Sequence, residues 1–200
     1  MRHRAWATRL ATVILLGACS RSAAPPSPDQ PQPRPPDLTG AAVMVLPAQA
    51  SPNHVGAGEP VPGLDREIAY WLGELVPRAR WVFPPAIERA LSRNPSLDIR
   101  LDALAVQSFH RGIVEVVGDP LFGDLVALGP LVDARFALIP VSTDYVTGEG
   151  GDGRVEFQAA LIDTRGGRVL WFGVVAGDRG PPGPQTTASA ARAFARLFAS

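Results

Sequence analysis

The sequence predicts an α/β (α+β) fold, a mixed sheet of about five strands that ends in a three-stranded antiparallel meander, with helices packed on the sheet. Three observations predict it. The continuous apolar run Ala41 to Pro47 reads as a strand buried on both faces, placed centrally in a sheet covered front and back. Segments of helical spacing follow it. Three strand-like runs then come in succession, Arg135 to Val146, Arg154 to Asp163 and Arg168 to Gly177, with turn residues between them.

Taken in order, the first strand is closed by Pro47. Leu64, Ile68, Trp71, Leu72 and Leu75 then fall on one helical face, with Asp65 and Glu67 at the positive end of the helix dipole and Pro77 as the stop. A short strand is expected at Arg80 to Phe83. Pro84-Pro85 opens a second helix over Ala86 to Ser92, where proline in the first turn costs no hydrogen bond, and Asn94-Pro95 ends it. From Ser96 to Gly118 neither period persists, so this stretch reads as irregular with a short helix. Asp119-Pro120 starts a third helix with the stripe Leu121, Leu125, Leu128 and Val132, kinked in its last turn by Gly129-Pro130. In the meander, Val155, Phe157, Ala159 and Leu161 alternate with Glu156 and Gln158, the mark of a sheet with one wetter face, and Thr164 to Gly167 make the hairpin turn. Beyond Pro181-Pro182-Gly183-Pro184, a closing helix is expected over Ala188 to Ala199, with Ala191, Phe194, Ala195 and Phe198 inward.

The 200 residues carry 19 basic and 19 acidic side chains, and every basic one is arginine. A net charge of zero argues against nucleic acid or an anionic membrane surface as partner, since both rest on excess positive charge. Cys19 is the single cysteine, so no intramolecular disulfide can form and the folded part must hold by its core.

The amino terminus has the pattern of an export signal. Arg2, Arg4 and Arg9 precede the short apolar run Leu10 to Ala18, which is too short to span a bilayer and ends in Leu16-Gly17-Ala18-Cys19. A cysteine so placed resembles the lipobox of bacterial lipoproteins, in which the sulfur receives a diacylglycerol and cleavage leaves the lipidated cysteine as the new amino terminus. The resemblance implies residues 1–18 as signal peptide, Cys19 as lipidation site and anchorage to a membrane without crossing it. Ser20, in place of the Asp that retains such proteins on the inner membrane, implies the outer membrane, with the domain facing the periplasm. An ordinary signal peptide with an incidental cysteine is the alternative. Residues 20–38 then include Pro25, Pro26, Pro28, Pro31, Pro33, Pro35 and Pro36, a composition that favours extended polyproline II and a spacer role. The organisation expected is therefore signal 1–18, lipidated tether 19–38 and a single α/β domain 39–200.

Within that domain, Val43 to Pro47, the aromatic strand and Pro84-Pro85 after the first helix, Asp133 to Leu138 before the meander, and Leu161 to Trp171 in the hairpin form a pattern. It resembles the domain shared by curli-secretion lipoproteins, the lipoprotein activator of penicillin-binding proteins and the amino-terminal domain of the Tol-system propeller protein. That resemblance implies a fold that docks onto other envelope proteins without catalysis. The chain lacks an evident pair of long membrane-inserting hairpins, which departs from the curli channel protein.

Each chemistry-bearing motif has a plainer reading. Gly148 to Gly153 matches G-x-G-x-x-G, but it joins two strands and opens no helix, so a hairpin loop explains it better than a nucleotide site. His3 leaves with the signal, and His54 and His110 stand far apart without cysteine partners, which predicts no metal site. Ser108 and His110 place a hydroxyl near an imidazole without a G-x-S-x-G elbow. Asp65 and Glu67 lie two apart on a helix and do not face each other; with Glu74 they read as dipole complement and solvated face. Trp71 and Trp81 read as core, and Trp171 and Phe172 as opposite faces of the last strand. No catalytic residue, cofactor or metal is expected, and Cys19 is the one predicted site residue. The functional expectation is a non-enzymatic, lipid-anchored envelope protein that binds another envelope protein as adaptor or assembly factor. A periplasmic small-ligand sensor or carrier, with Ser96 to Gly118 as a pocket wall, is the alternative, and a hydrolase the third reading.

Overall fold

The computed structural model describes residues 27, 28, 30, 32–50, 61–112, 114–148 and 151–199. The strands are β1 (Ala42–Val45), β2 (Arg80–Val82), β3 (Phe136–Thr147), β4 (Gly153–Asp163) and β5 (Arg168–Ala176); the helices are α1 (Leu64–Leu75), α2 (Pro84–Ser92), α3 (Leu121–Leu131) and α4 (Pro184–Phe198). They build one sheet in the order β2-β1-β3-β4-β5. β1 runs parallel to both of its neighbours, Val43 standing opposite Trp81 on one side and Phe136 on the other. β3, β4 and β5 form the antiparallel meander. The expected mixed sheet of five strands is thus the fold.

Two cores lie on opposite faces of this sheet, because successive strand residues point to opposite sides. Val43 and Val45 face a core closed by α1 and α4, whereas Met44 and Leu46 face one closed by α2, α3 and the irregular stretch. This is why β1 is apolar at every position. The first core is aromatic: Phe194 of α4 lies edge-on to Phe157 at 5.2 Å and Phe198 at 5.2 Å, and Phe198 meets Trp171 at 5.4 Å. Trp81 joins this layer 6.5 Å from Phe198.

Boundaries differ from the expectation where proline is ambiguous. α2 starts at Pro84 and α4 at Pro184, four residues ahead of the predicted Ala188. Proline has no N–H to lose in a first turn, and the Gly183 carbonyl, which already accepts the Thr187 N–H, also accepts the hydroxyls of Thr186 and Thr187 at 2.8 and 3.1 Å. α3 runs through Pro130 to Leu131, with the proline in its last turn. In β3, Pro140 cannot donate to the ladder, and the pairing with β4 shifts between Pro140 and Ser142. Its carbonyl accepts from the Gln49 N–H at 2.9 Å.

The stretch 96–118 contains two single 3₁₀ turns, Leu101–Ala103 and Phe109–Arg111. Its apolar residues Leu101, Leu104, Val106, Phe109 and Val117 are all buried in the second core. A buried amide holds it there. Gln49 donates through Nε2 to the Leu101 carbonyl at 2.9 Å and accepts at Oε1 from the Leu104 N–H at 2.9 Å.

Candidate functional site

The residues that could meet a partner are best located from the sheet edges. β5 is an outer strand, and its outer side is taken up in two places by other parts of the chain. At its start Val116 bridges Arg168 antiparallel, with the Val169 N–H donating to the Glu115 carbonyl at 2.8 Å and the Val117 N–H to the Gly167 carbonyl at 2.8 Å. Toward its end the Val174 N–H donates to Gln32 Oε1 at 3.2 Å, and the Trp171 indole N–H donates to the Pro33 carbonyl at 2.7 Å. Between these seats runs a groove of about 470 Å³, walled by Pro33 and Val114 and floored by Leu170, Trp171 and Phe172.

Residues 32–38, expected only to space the domain from its anchor, therefore lie on the folded body. Gln32 is shaped for its seat by donating Nε2 to the Ser27 carbonyl at 2.7 Å, which leaves its oxygen for Val174. Pro35 is buried, and Leu38 belongs to the first core. Asp37 turns the chain toward β1 by accepting the Thr39 N–H at 2.9 Å, and that bond holds its carboxyl below the ordinary value.

Trp171 and Phe172 take opposite faces as expected. Trp171 packs under α4, and Phe172 stacks on Phe109 at 5.5 Å with the planes 24° apart. The irregular stretch is thus the cover of Phe172. Among its described residues it contributes Val114 and Glu115 to the groove, because its larger apolar side chains are spent in the core.

The other predicted positions fall apart in space or serve the fold. Cys19, His3 and His54 lie outside the described residues. Ser108 and His110 flank the buried Phe109 on one 3₁₀ turn, and among the described residues no hydrogen bond joins them. Burial lowers the pKa of His110, and the nearby Asp144 charge opposes that shift. Asp65 accepts the Ala48 N–H at 2.9 Å and so ties α1 to the end of β1; burial raises its carboxyl, which that bond partly offsets. Of Gly148 to Gly153, Glu149 and Gly150 are outside the described residues, and Gly148 donates its N–H to the Asp152 carbonyl at 2.7 Å across the β3–β4 loop. Trp81 is half-buried and donates Nε1 to the Val76 carbonyl at 3.0 Å. Trp71, also half-buried, lies under the Arg192 guanidinium at 5.0 Å. Among the described residues no group of three potential ligands could hold a metal ion, and no helix is long and apolar enough to cross a membrane.

No family model and no curated protein matches the sequence. Among solved structures the chain is similar to the PelC dodecamer from Paraburkholderia phytofirmans, at 18% identity over 84% of this chain and 94% of that one, with a TM-score of 0.42. It is similar to lipoprotein GNA1162 from Neisseria meningitidis at 20% identity, covering 70% of this chain and 83% of that one, with a TM-score of 0.44. For the LpoB C-terminal domain from Salmonella enterica the identity is 13%, the coverage 69% and 82%, and the TM-score 0.40.

Proposed function

We infer that this chain is a non-enzymatic protein of the cell envelope, anchored by lipid on Cys19, whose domain acts by binding another envelope protein as adaptor or assembly factor. The observation that carries the reading is Cys19 itself, placed where the short apolar leader ends in Leu16-Gly17-Ala18. Acyl chains there contribute about 0.8 kcal/mol per buried CH₂, so two or three chains hold a protein on a bilayer almost permanently. The outer membrane is the proposed station, with the domain in the periplasm, because Ser20 and not Asp follows the cysteine. An outer strand such as β5, once its edge is uncovered, suits recognition through strand pairing, in which main-chain groups supply affinity and alternate side chains supply specificity.

Mass spectrometry of the mature amino terminus tests the anchor. The expected product begins at an acylated Cys19, and Cys19→Ser abolishes both acylation and sedimentation with membranes. Crosslinking in intact envelopes tests the binding role, with recovery of a specific protein expected. Unacylated wild-type protein would overturn the anchor, and crosslinks to no protein at all would overturn the adaptor.

A further inference from the structure

A sheet edge left bare invites pairing with any extended chain, and proteins protect such edges. β5 is protected by two unlike devices. Val116 forms an isolated antiparallel bridge with Arg168 at its start, flanked by main-chain bonds of Glu115 to Val169 and of Val117 to Gly167. Farther along, the cover is proline-rich and joins the edge by one side-chain oxygen, that of Gln32, and one carbonyl, that of Pro33, which is bonded to an indole. Pro33, Pro35 and Pro36 have no N–H to offer, so this segment caps the edge without extending the sheet. Main-chain directions alternate along a strand, so Phe172 shares the outward direction of Val174 and presents its N–H to the groove between the two covers.

We propose that residues 32–36 are a releasable strap that closes the outer edge of β5 against pairing with another strand, and that lifting the strap both opens this edge and lengthens the tether. The second half rests on the lipid anchor proposed above. With the strap seated, the thirteen steps from Cys19 to Gln32 span at most about 40 Å, at ~3.1 Å per residue of polyproline II. Release adds residues 32–36 to the spacer, a gain of about 15 Å in full extension by the same rise. The domain that reaches farthest from its membrane is then the one with an open edge, so reach and binding competence rise together.

Amide hydrogen exchange on the full-length protein tests the strap. Wild type is compared with Gln32→Ala and with a variant whose residues 32–36 are replaced by alternating glycine and serine. The expected result is tenfold or faster exchange of the Val174 amide in both variants, and of the Trp171 indole N–H in the second, with Leu161 on the inner strand β4 and the urea midpoint unchanged. Val174 exchange equal to wild type in the replaced-strap protein overturns the proposal, and so does loss of protection throughout the sheet, which would make these residues core and not cover. Cys19→Ser is expected to keep wild-type exchange at Val174 while leaving the membrane, so that strap and anchor are read separately. On a supported bilayer, neutron reflectometry of the acylated proteins should place the replaced-strap domain higher by on the order of 10 Å for a flexible spacer. Equal heights overturn the coupling of edge to reach.

Discussion

Asp163 sits where β4 turns into β5 and is bonded from three directions. Its Oδ2 accepts Arg135 Nη2 at 2.8 Å and Nε at 3.2 Å, its Oδ1 accepts the Arg165 N–H at 3.0 Å, and its carbonyl accepts the Gly167 N–H at 2.9 Å, where a positive φ of 67° suits glycine. Burial pushes this carboxyl up, but the hydrogen bonds from Arg135 and Arg165 outweigh it and hold the group below its ordinary 3.8. A depressed folded value gives stability that is present above the unfolded value and lost as pH falls through the folded one. Asp163→Asn is accordingly expected to cost about 1 kcal/mol at pH 7, the half-exposed Arg135 keeping it modest, with no difference once pH lies below both values; urea midpoints across pH check this. Asp65 has the opposite sign. Its raised value means the ionised form is disfavoured in the fold, so its contribution is full below the unfolded value and fades as pH rises through the folded one. Asp65→Asn keeps an acceptor for Ala48, and the stability of wild type relative to it should fall from pH 4 toward neutrality. At Gly173 any Cβ would strike the Trp171 indole. Gly173→Ala is expected to cost about 1–3 kcal/mol as overpacking and to lift the indole from Pro33, seen as a red shift of tryptophan emission.

Among elements, the stretch 96–118 does a helix's work without a helix's regularity. Its grip on the sheet comes from Phe109 against Phe172 and from the Gln49 amide, which is more than fifty residues away from Leu101 and Leu104 in sequence. Periodicity cannot reveal such a segment, since its burial is set by long-range partners. Phe109→Ala should cost about 3–5 kcal/mol by leaving a cavity in the second core, and it should speed amide exchange across 101–117 before other parts of that face. α1 was legible to its ends because Leu64, Ile68 and Leu72 keep the period and Pro77 stops it. The first turn of α4 was not, because Pro181 to Pro184 reads as loop while Pro184 in fact serves as the first helical residue. The strap was illegible for a related reason: its hold uses a carbonyl and a glutamine oxygen, and composition says nothing about where such acceptors find donors.

At the scale of the whole molecule, the sheet separates two cores whose ring contacts are distinct, Phe194 with Phe157 and Trp171 on one side and Phe109 with Phe172 on the other. Phe194→Ala and Phe109→Ala should therefore add within about 0.5 kcal/mol in the double variant, as expected of sites without a shared partner. A larger coupling energy from denaturant melts would mean that the adjacent Trp171 and Phe172 transmit strain through β5. Fold class and the closing meander followed from hydrophobic runs, whereas the strand order and the candidate binding edge followed only from the structure; Cys19, the one residue that sequence singled out, stands outside the described chain. The last ring of α4, Phe198, touches Trp171, and Trp171 touches the strap at Pro33, which brings the end of α4 to the same flank as the strap. A purification tag or fluorescent fusion appended after Ser200 would thus crowd that flank, while the loop between β3 and β4 offers an insertion point well away in sequence from both ends.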